Sequence, residues 1–183
     1  MKLFHGSFCE VSEPDLSRCN PRKDFGRGFY LTTSLTQARG FSLLTLSKAL
    51  SKAAIDPSQR WGVVSHFEAN TDLMGSLLIT KFPTADADWL KCVTAHRRGK
   101  AGDALVERYQ SYDIIWGKIA NDDTNATITA YMAGLFGEPD SPRAISTAIS
   151  LLMPERLTDQ LCFRTRAALD SLKFLGSEKI WMK

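Results

Sequence analysis

His5, Gly6 and Ser7 follow one another near the N-terminus, and Phe25-Gly26-Arg27-Gly28-Phe29-Tyr30-Leu31-Thr32-Thr33-Ser34 comes soon after. An imidazole donates to or accepts from a sugar hydroxyl. A glycine backbone offers a donor and an acceptor, and the Gly26 and Gly28 pair lets backbone approach a ligand without a side-chain clash. After it, Phe29 and Leu31 alternate with Tyr30 and Thr32, as in a strand with one face in the core and the other carrying Tyr30 toward a ligand. Between the glycines, the Arg27 guanidinium has the fork that matches phosphate oxygens, although an exposed loop arginine is the plainer reading.

His-Gly-Ser on one strand and Gly-x-Gly-aromatic-Tyr-Leu-Thr on a second resembles the ADP-ribosyltransferase superfamily, in the branch of diphtheria toxin and the poly(ADP-ribose) polymerases. That branch carries a His, a Tyr and a Glu on three strands, and its second motif runs into a helix bearing a small residue and a second aromatic one. Ser34, Ala38 and Phe41 continue the motif here. Leu157-Thr158-Asp159-Gln160-Leu161-Cys162-Phe163 resembles the third motif, with Gln160 in place of the glutamate. Over most of its length the chain also resembles an uncharacterised bacterial family of the same superfamily. Trp89-Leu90, Tyr112-Asp113-Ile114-Ile115-Trp116-Gly117 with Ala120-Asn121-Asp122-Asp123, and Gln160-Leu161-Cys162-Phe163-Arg164-Thr165 carry that likeness.

The resemblance implies a single α+β domain over residues 1–183, with a split β-sheet core and flanking helices. It implies NAD as co-substrate and no metal. His5 would meet the adenosine ribose, the Gly6 backbone the nicotinamide amide, and Tyr30 and Phe41 the two faces of the nicotinamide ring. An aromatic face offers a cationic pyridinium dispersion and cation–π attraction of about 0.5–2 kcal/mol. Ser7 and Thr32 would make polar contacts to ribose or amide, and Arg27 would reach the pyrophosphate. Phe41 equally fits a core position, and Ser7 and Thr32 equally fit ordinary strand positions.

Gln160, with Tyr30 and His5, completes the implied catalytic set. Breaking the nicotinamide glycosidic bond builds positive charge on the ribose, which a nearby carboxylate stabilises. Glutamine carries no such charge, but its amide can bond ribose hydroxyls and orient the sugar. Asp159, Asp122 and Asp123 are the acids that could compensate. Asp159 neighbours Gln160 on a strand and so takes the opposite face, while Asn121 or Asp123 also suits a helix N-cap.

Several elements must position these groups. Ser34 opens a predicted helix to Ala54, and strands are predicted at 61–68, 76–82, 112–119 and 160–164. Further helices are predicted at 86–98, 124–136, 142–153 and 166–174, followed by a last short segment. Residues 11–24 read as a loop that could lie over a ligand. The basic run His96-Arg97-Arg98-Gly99-Lys100 reads as a solvated helix end, with an acidic acceptor as the alternative.

The net charge of +3 argues for no nucleic-acid partner by itself. Cys9, Cys19, Cys92 and Cys162 form no Cys-x-x-Cys pair and the histidines are far apart, so a zinc site is not expected. Without a long apolar segment the expectation is no membrane association and a cytoplasmic protein with free thiols, or one delivered as an effector. The implied activity is mono-ADP-ribosylation of an unidentified macromolecular acceptor, protein or nucleic acid, in a toxin-like or effector role. An inhibitor protein is a further expected partner. Chain elongation is disfavoured, because in the resembling enzymes it depends on the missing glutamate. A degenerate NAD- or nucleotide-binding module acting through a protein partner, and an NAD glycohydrolase, are the alternative functions.

Overall fold

The computed structural model describes residues 1–100, 102–118, 122–153 and 157–182, with side chains at all of these except Asp122 and Asp123. Two sheets form within an α+β architecture. Strands β1 (Lys2–Ser7), β3 (Trp61–Ala69) and β7 (Leu172–Trp181) pair antiparallel in the order β1-β3-β7. Strands β2 (Phe29–Leu31), β6 (Asp159–Phe163), β5 (Ile114–Lys118) and β4 (Ile79–Lys81) form the second sheet in the order β2-β6-β5-β4, parallel only between β4 and β5.

Apolar residues on one face of each sheet make a shared core. Leu3 and Phe67 from the first sheet meet Phe29, Leu31, Leu161 and Phe163 from the second. The second sheet turns its other face, with Ile115, Cys162 and Tyr30, toward a second core. Helices α3 (Ala87–Arg98), α4 (Ala104–Gln110), α5 (Asp122–Met132) and α6 (Pro142–Leu152) cover it, with Trp89, Leu90, Ile128 and Ala148 fully buried. Full burial of one large apolar side chain contributes about 1.5–3 kcal/mol, so the two cores supply most of the favourable energy.

Helix α1 (Leu35–Ser51) lies on the outer face of the first sheet. Ser34 caps it by accepting from the Gln37 amide, and Ala38, Ser42, Leu46 and Ala49 form its buried stripe. Glycines on the sheet permit the contact. A Cβ on Gly6 would stand 2.1 Å from the Ala38 carbonyl oxygen, and one on Gly62 would stand 2.6 Å from that of Ser42. Short helices α2 (Thr71–Met74) and α7 (Arg166–Asp170) close the ends of the inter-sheet core.

The predicted helix at 166–174 stops at Asp170, and the predicted short segment is instead the ten-residue strand β7. Leu172 and Phe174 pair with Ala69 and Phe67, so closing the apolar core overrides local helix preference. Burial alternates along the whole of β7, but beyond the bulge between His66 and Phe67 the partly buried positions include Gly176 and Glu178, so no run of alternating apolar residues marks the strand. Among the described residues, no helix is long and apolar enough to cross a membrane, and no group of three or more His, Cys, Asp or Glu is placed to hold a metal ion.

Candidate functional site

The two sheets touch at one bridged pair. Phe4 and Thr32 exchange backbone hydrogen bonds of 2.9 and 3.0 Å. Residues two apart on a strand direct their backbone groups to the same edge, so Gly6 turns its N–H and C=O toward β2, away from β3. A continuing ladder would pair Gly6 with Tyr30. Instead the strands part, and the Tyr30 carbonyl accepts from His5 Nδ1 at 2.8 Å.

That bond sets the histidine tautomer, since a carbonyl can only accept and Nδ1 must therefore carry the proton. Burial pushes the His5 pKa below its ordinary 6.5, against the raising effect of the Tyr30 carbonyl. His5 is thus neutral at pH 7, with Nε2 as an acceptor, and its ring packs against Phe29 at 4.5 Å between centroids.

On the neighbouring strand, Tyr30 faces the helix-covered side. Its hydroxyl accepts from the Phe25 amide at 2.9 Å and donates to the Gly26 carbonyl at 2.8 Å. Burial, with the negative potential of Cys162 and Asp24, pushes the phenol pKa well above 10. The glycines around Arg27 find their close partners in the protein itself. At Gly26, where φ is +76°, a Cβ would meet His96 Cδ2 at 2.7 Å, and at Gly28 it would meet Cys162 Sγ at 2.3 Å. Phe25 is fully buried against Gly117. Arg27 points back to its own loop, 3.3 Å from the Ser17 carbonyl oxygen.

Gln160 sits on the same face as Tyr30, two residues along β6 from the Cys162 that pairs with Tyr30, and opposite Gly117, the next-to-last residue of β5. It is 4% exposed, and its Nε2 donates to Asp24 Oδ2 at 3.0 Å and to the Lys118 carbonyl at 3.2 Å. Asp24 in turn accepts from Arg97 Nε at 2.8 Å, with Nη2 at 2.7 Å from the same oxygen. Arg97 Nη1 donates to Asn125 Oδ1 at 2.8 Å.

The acid beside Gln160 is engaged elsewhere. Asp159 accepts from the Thr33 hydroxyl at 2.7 Å and amide at 3.2 Å, and from Trp116 Nε1 at 3.1 Å, tying β6 to the turn before α1. Asn121 lies outside the described residues, as do the side chains of Asp122 and Asp123. Thr32 is buried and bonds Gln37 Oε1 at 3.2 Å. Ser7 ends β1, partly exposed, near Cys9. Phe41 stands on the solvent side of α1, 40% exposed, one residue from the Ser42 that packs on Gly6.

His5, Gly6 and Thr32 lie at the split, Tyr30 and Gln160 turn their side chains to the helix-covered face of the second sheet, Phe41 stands on α1 one residue from the Ser42 that packs on Gly6, and Arg27 faces the loop. Two surface hollows, about 650 and 300 Å³, lie elsewhere, one between α3 and α6 and the other beside Met1 and Lys173.

Motif reasoning passed over Asp24, which the structure places against Gln160, and Arg97, which holds Asp24. Asp24 directly precedes the Phe25-Gly26 turn, and an acid there, with a later run of basic residues, was the available signal. The basic run is not simply a solvated helix end: His96 is 3% exposed and Arg97 is held in the ion pair, while Arg98 approaches Asp140 at 3.7 Å. Burial also lowers the His96 pKa, and its Nδ1 bonds the Cys92 carbonyl at 2.8 Å.

A family model described as a protein of unknown function (DUF3990) matches residues 1–174, which span all of these groups. The chain belongs to the DUF3990 family. No curated protein and no solved structure matches it. Within this DUF3990 chain the matched region contains the whole split between the sheets and stops inside β7.

Proposed function

We propose that this chain is a mono-ADP-ribosyltransferase of the ADP-ribosyltransferase fold, using NAD as co-substrate to modify a macromolecular acceptor. The observation that carries this reading is the split at Phe4–Thr32, where the Gly6 amide and carbonyl face the gap beside the Tyr30 strand. A carboxamide is the group that answers a neighbouring donor and acceptor together. The exposed Phe41 ring beside that edge supports stacking, since a large aromatic left 40% exposed is free to cover a flat ring. His5 Nε2 would accept from a ribose hydroxyl. Gln160 would bond and orient the reacting sugar without supplying charge.

Labelled NAD incubated with the pure protein and a bacterial lysate tests the reading, with Tyr30→Ala and Gln160→Ala in parallel. Label on a macromolecule that both substitutions reduce is the expected result. Absent transfer, or transfer unchanged by both, sinks it. Nicotinamide release without labelled macromolecule would select NAD hydrolysis.

One observation favours a second reading, a nucleotide-binding module acting through a protein partner, to which an inhibitor protein could also bind. The nitrogen of the Gln160 amide is fully engaged by Asp24 and Lys118, and Asp159 is held by threonines and Trp116, so no free carboxylate stands at the third motif. Calorimetry showing saturable NAD binding with no nicotinamide release selects that module.

A further inference from the structure

Gln160 replaces a carboxylate, yet its surroundings restrict what it can present. The groups 3.0 and 3.2 Å from its Nε2 are a carboxylate and a carbonyl, both acceptors. The amide orientation therefore follows from chemistry: the NH2 group faces Asp24 and Lys118, with both its hydrogens used, and Oε1 is the atom left for another partner. Among the described residues Asp24 is the one buried carboxylate, 9% exposed. One of its oxygens holds Gln160 and the other holds Arg97, which Asn125 anchors in turn.

Resting on the NAD reading above, we propose that Asp24, held by Arg97, is a positioning residue that locks Gln160 so that only its Oε1 meets the ribose. The side chain then offers an acceptor alone, as one oxygen of a glutamate would. Asp24 and Arg97 cancel each other's charge, so the device confers orientation and no net negative field. A glutamate at position 160 is consequently unwelcome while Asp24 stands beside it. Two carboxylates at about 3 Å do not both ionise, so they would share one proton, and a glutamate there would bring neither a full charge to the ribose nor the amide's second donor to the Lys118 carbonyl.

The test is a double-substitution cycle of Asp24→Asn and Gln160→Glu in the full chain, read as nicotinamide release from NAD and as thermal midpoint. Each single change is expected to lower kcat about tenfold with little change in the KM for NAD, and Gln160→Glu to lower the thermal midpoint as well. The double variant reverses the amide–carboxylate pair and is expected to return kcat to within about threefold of the parent. The proposal is overturned if Gln160→Glu alone matches or exceeds the parent, or if Asp24→Asn leaves kcat unchanged. It is also overturned if the double variant regains its thermal midpoint but not kcat, which would make the pair merely structural. For a parent that binds NAD without releasing nicotinamide, the same cycle is read in the dissociation constant, with loss in each single and recovery in the double. A parent that neither binds NAD nor releases nicotinamide overturns the NAD reading itself, an outcome set apart because the parent, not the variant, is inert.

Discussion

Tyr30→Phe removes one oxygen and keeps the ring. That oxygen accepts from the Phe25 amide at 2.9 Å and donates to the Gly26 carbonyl at 2.8 Å, and both residues are buried. Without it, a buried N–H and a buried C=O lose their partner, at about 1–3 kcal/mol each before relaxation. Local rearrangement and the easier burial of phenylalanine offset part of this, leaving a loss of about 2 kcal/mol. For a chain of this length, 2 kcal/mol corresponds to a fall of roughly 4–8 °C in Tm. Circular dichroism on heating measures it, and hydrogen exchange at the Phe25 amide locates it, because that amide loses its acceptor and should exchange faster. NAD affinity should change less than about threefold, since stacking uses the retained ring, whereas Tyr30→Ala should abolish it. Unchanged protection at Phe25 with a Tm within about 1 °C of the parent would refute the assigned latch.

Gly40 lies within α1 and a Cβ there meets nothing within 4 Å, so Gly40→Ala should raise stability by about 1 kcal/mol in denaturant unfolding. Gly28→Ala should lower it by about 2 kcal/mol or more, because the new methyl would stand 2.3 Å from Cys162 Sγ and 2.8 Å from the Phe163 carbonyl oxygen. Phe41→Ala should leave stability within about 0.5 kcal/mol, yet weaken NAD binding about fivefold by calorimetry. His5 and His96 are both held by burial below their ordinary 6.5, so the unfolded chain takes up these protons first as pH falls. Tm should therefore be level above about pH 7 and decline as pH drops below 6.5, and His5→Gln should flatten that decline.

The contact between His5 and Tyr30 in the candidate site was legible because short motifs lie on strands that meet at the Phe4–Thr32 bridge. His5-Gly6 and Tyr30 needed only the alternation of β1 and β2 to come together, and Ser34 signalled the start of α1 by its side-chain acceptor. Gln160 followed from its place in the third motif. What stayed hidden depends on contacts between distant segments. Asp24 and Gln160 are 136 positions apart, and nothing local to either shows that one binds the other. The roles of Gly26 and Gly28 were misread for a similar reason: a glycine permits close approach, but its own sequence does not say whether ligand, His96 or Cys162 approaches. β7 escaped because Gly176 and Glu178 fill partly buried positions where an alternating strand would show apolar residues, and α4 because its seven residues are too few for a helical period to stand out.

The order β1-β3-β7 brings strands from residues 2–7, 61–69 and 172–181 into one sheet. A single cut of the backbone anywhere from residue 8 to residue 171 therefore leaves β1 on one fragment and β7 on the other, joined through β3. The first sheet acts as a clasp across the interruption. A protease nick in the exposed turn at Asp56–Ser58 would sever the chain while β1 stays paired with β3 in an uninterrupted six-residue register, and the two pieces should travel as one particle until denatured.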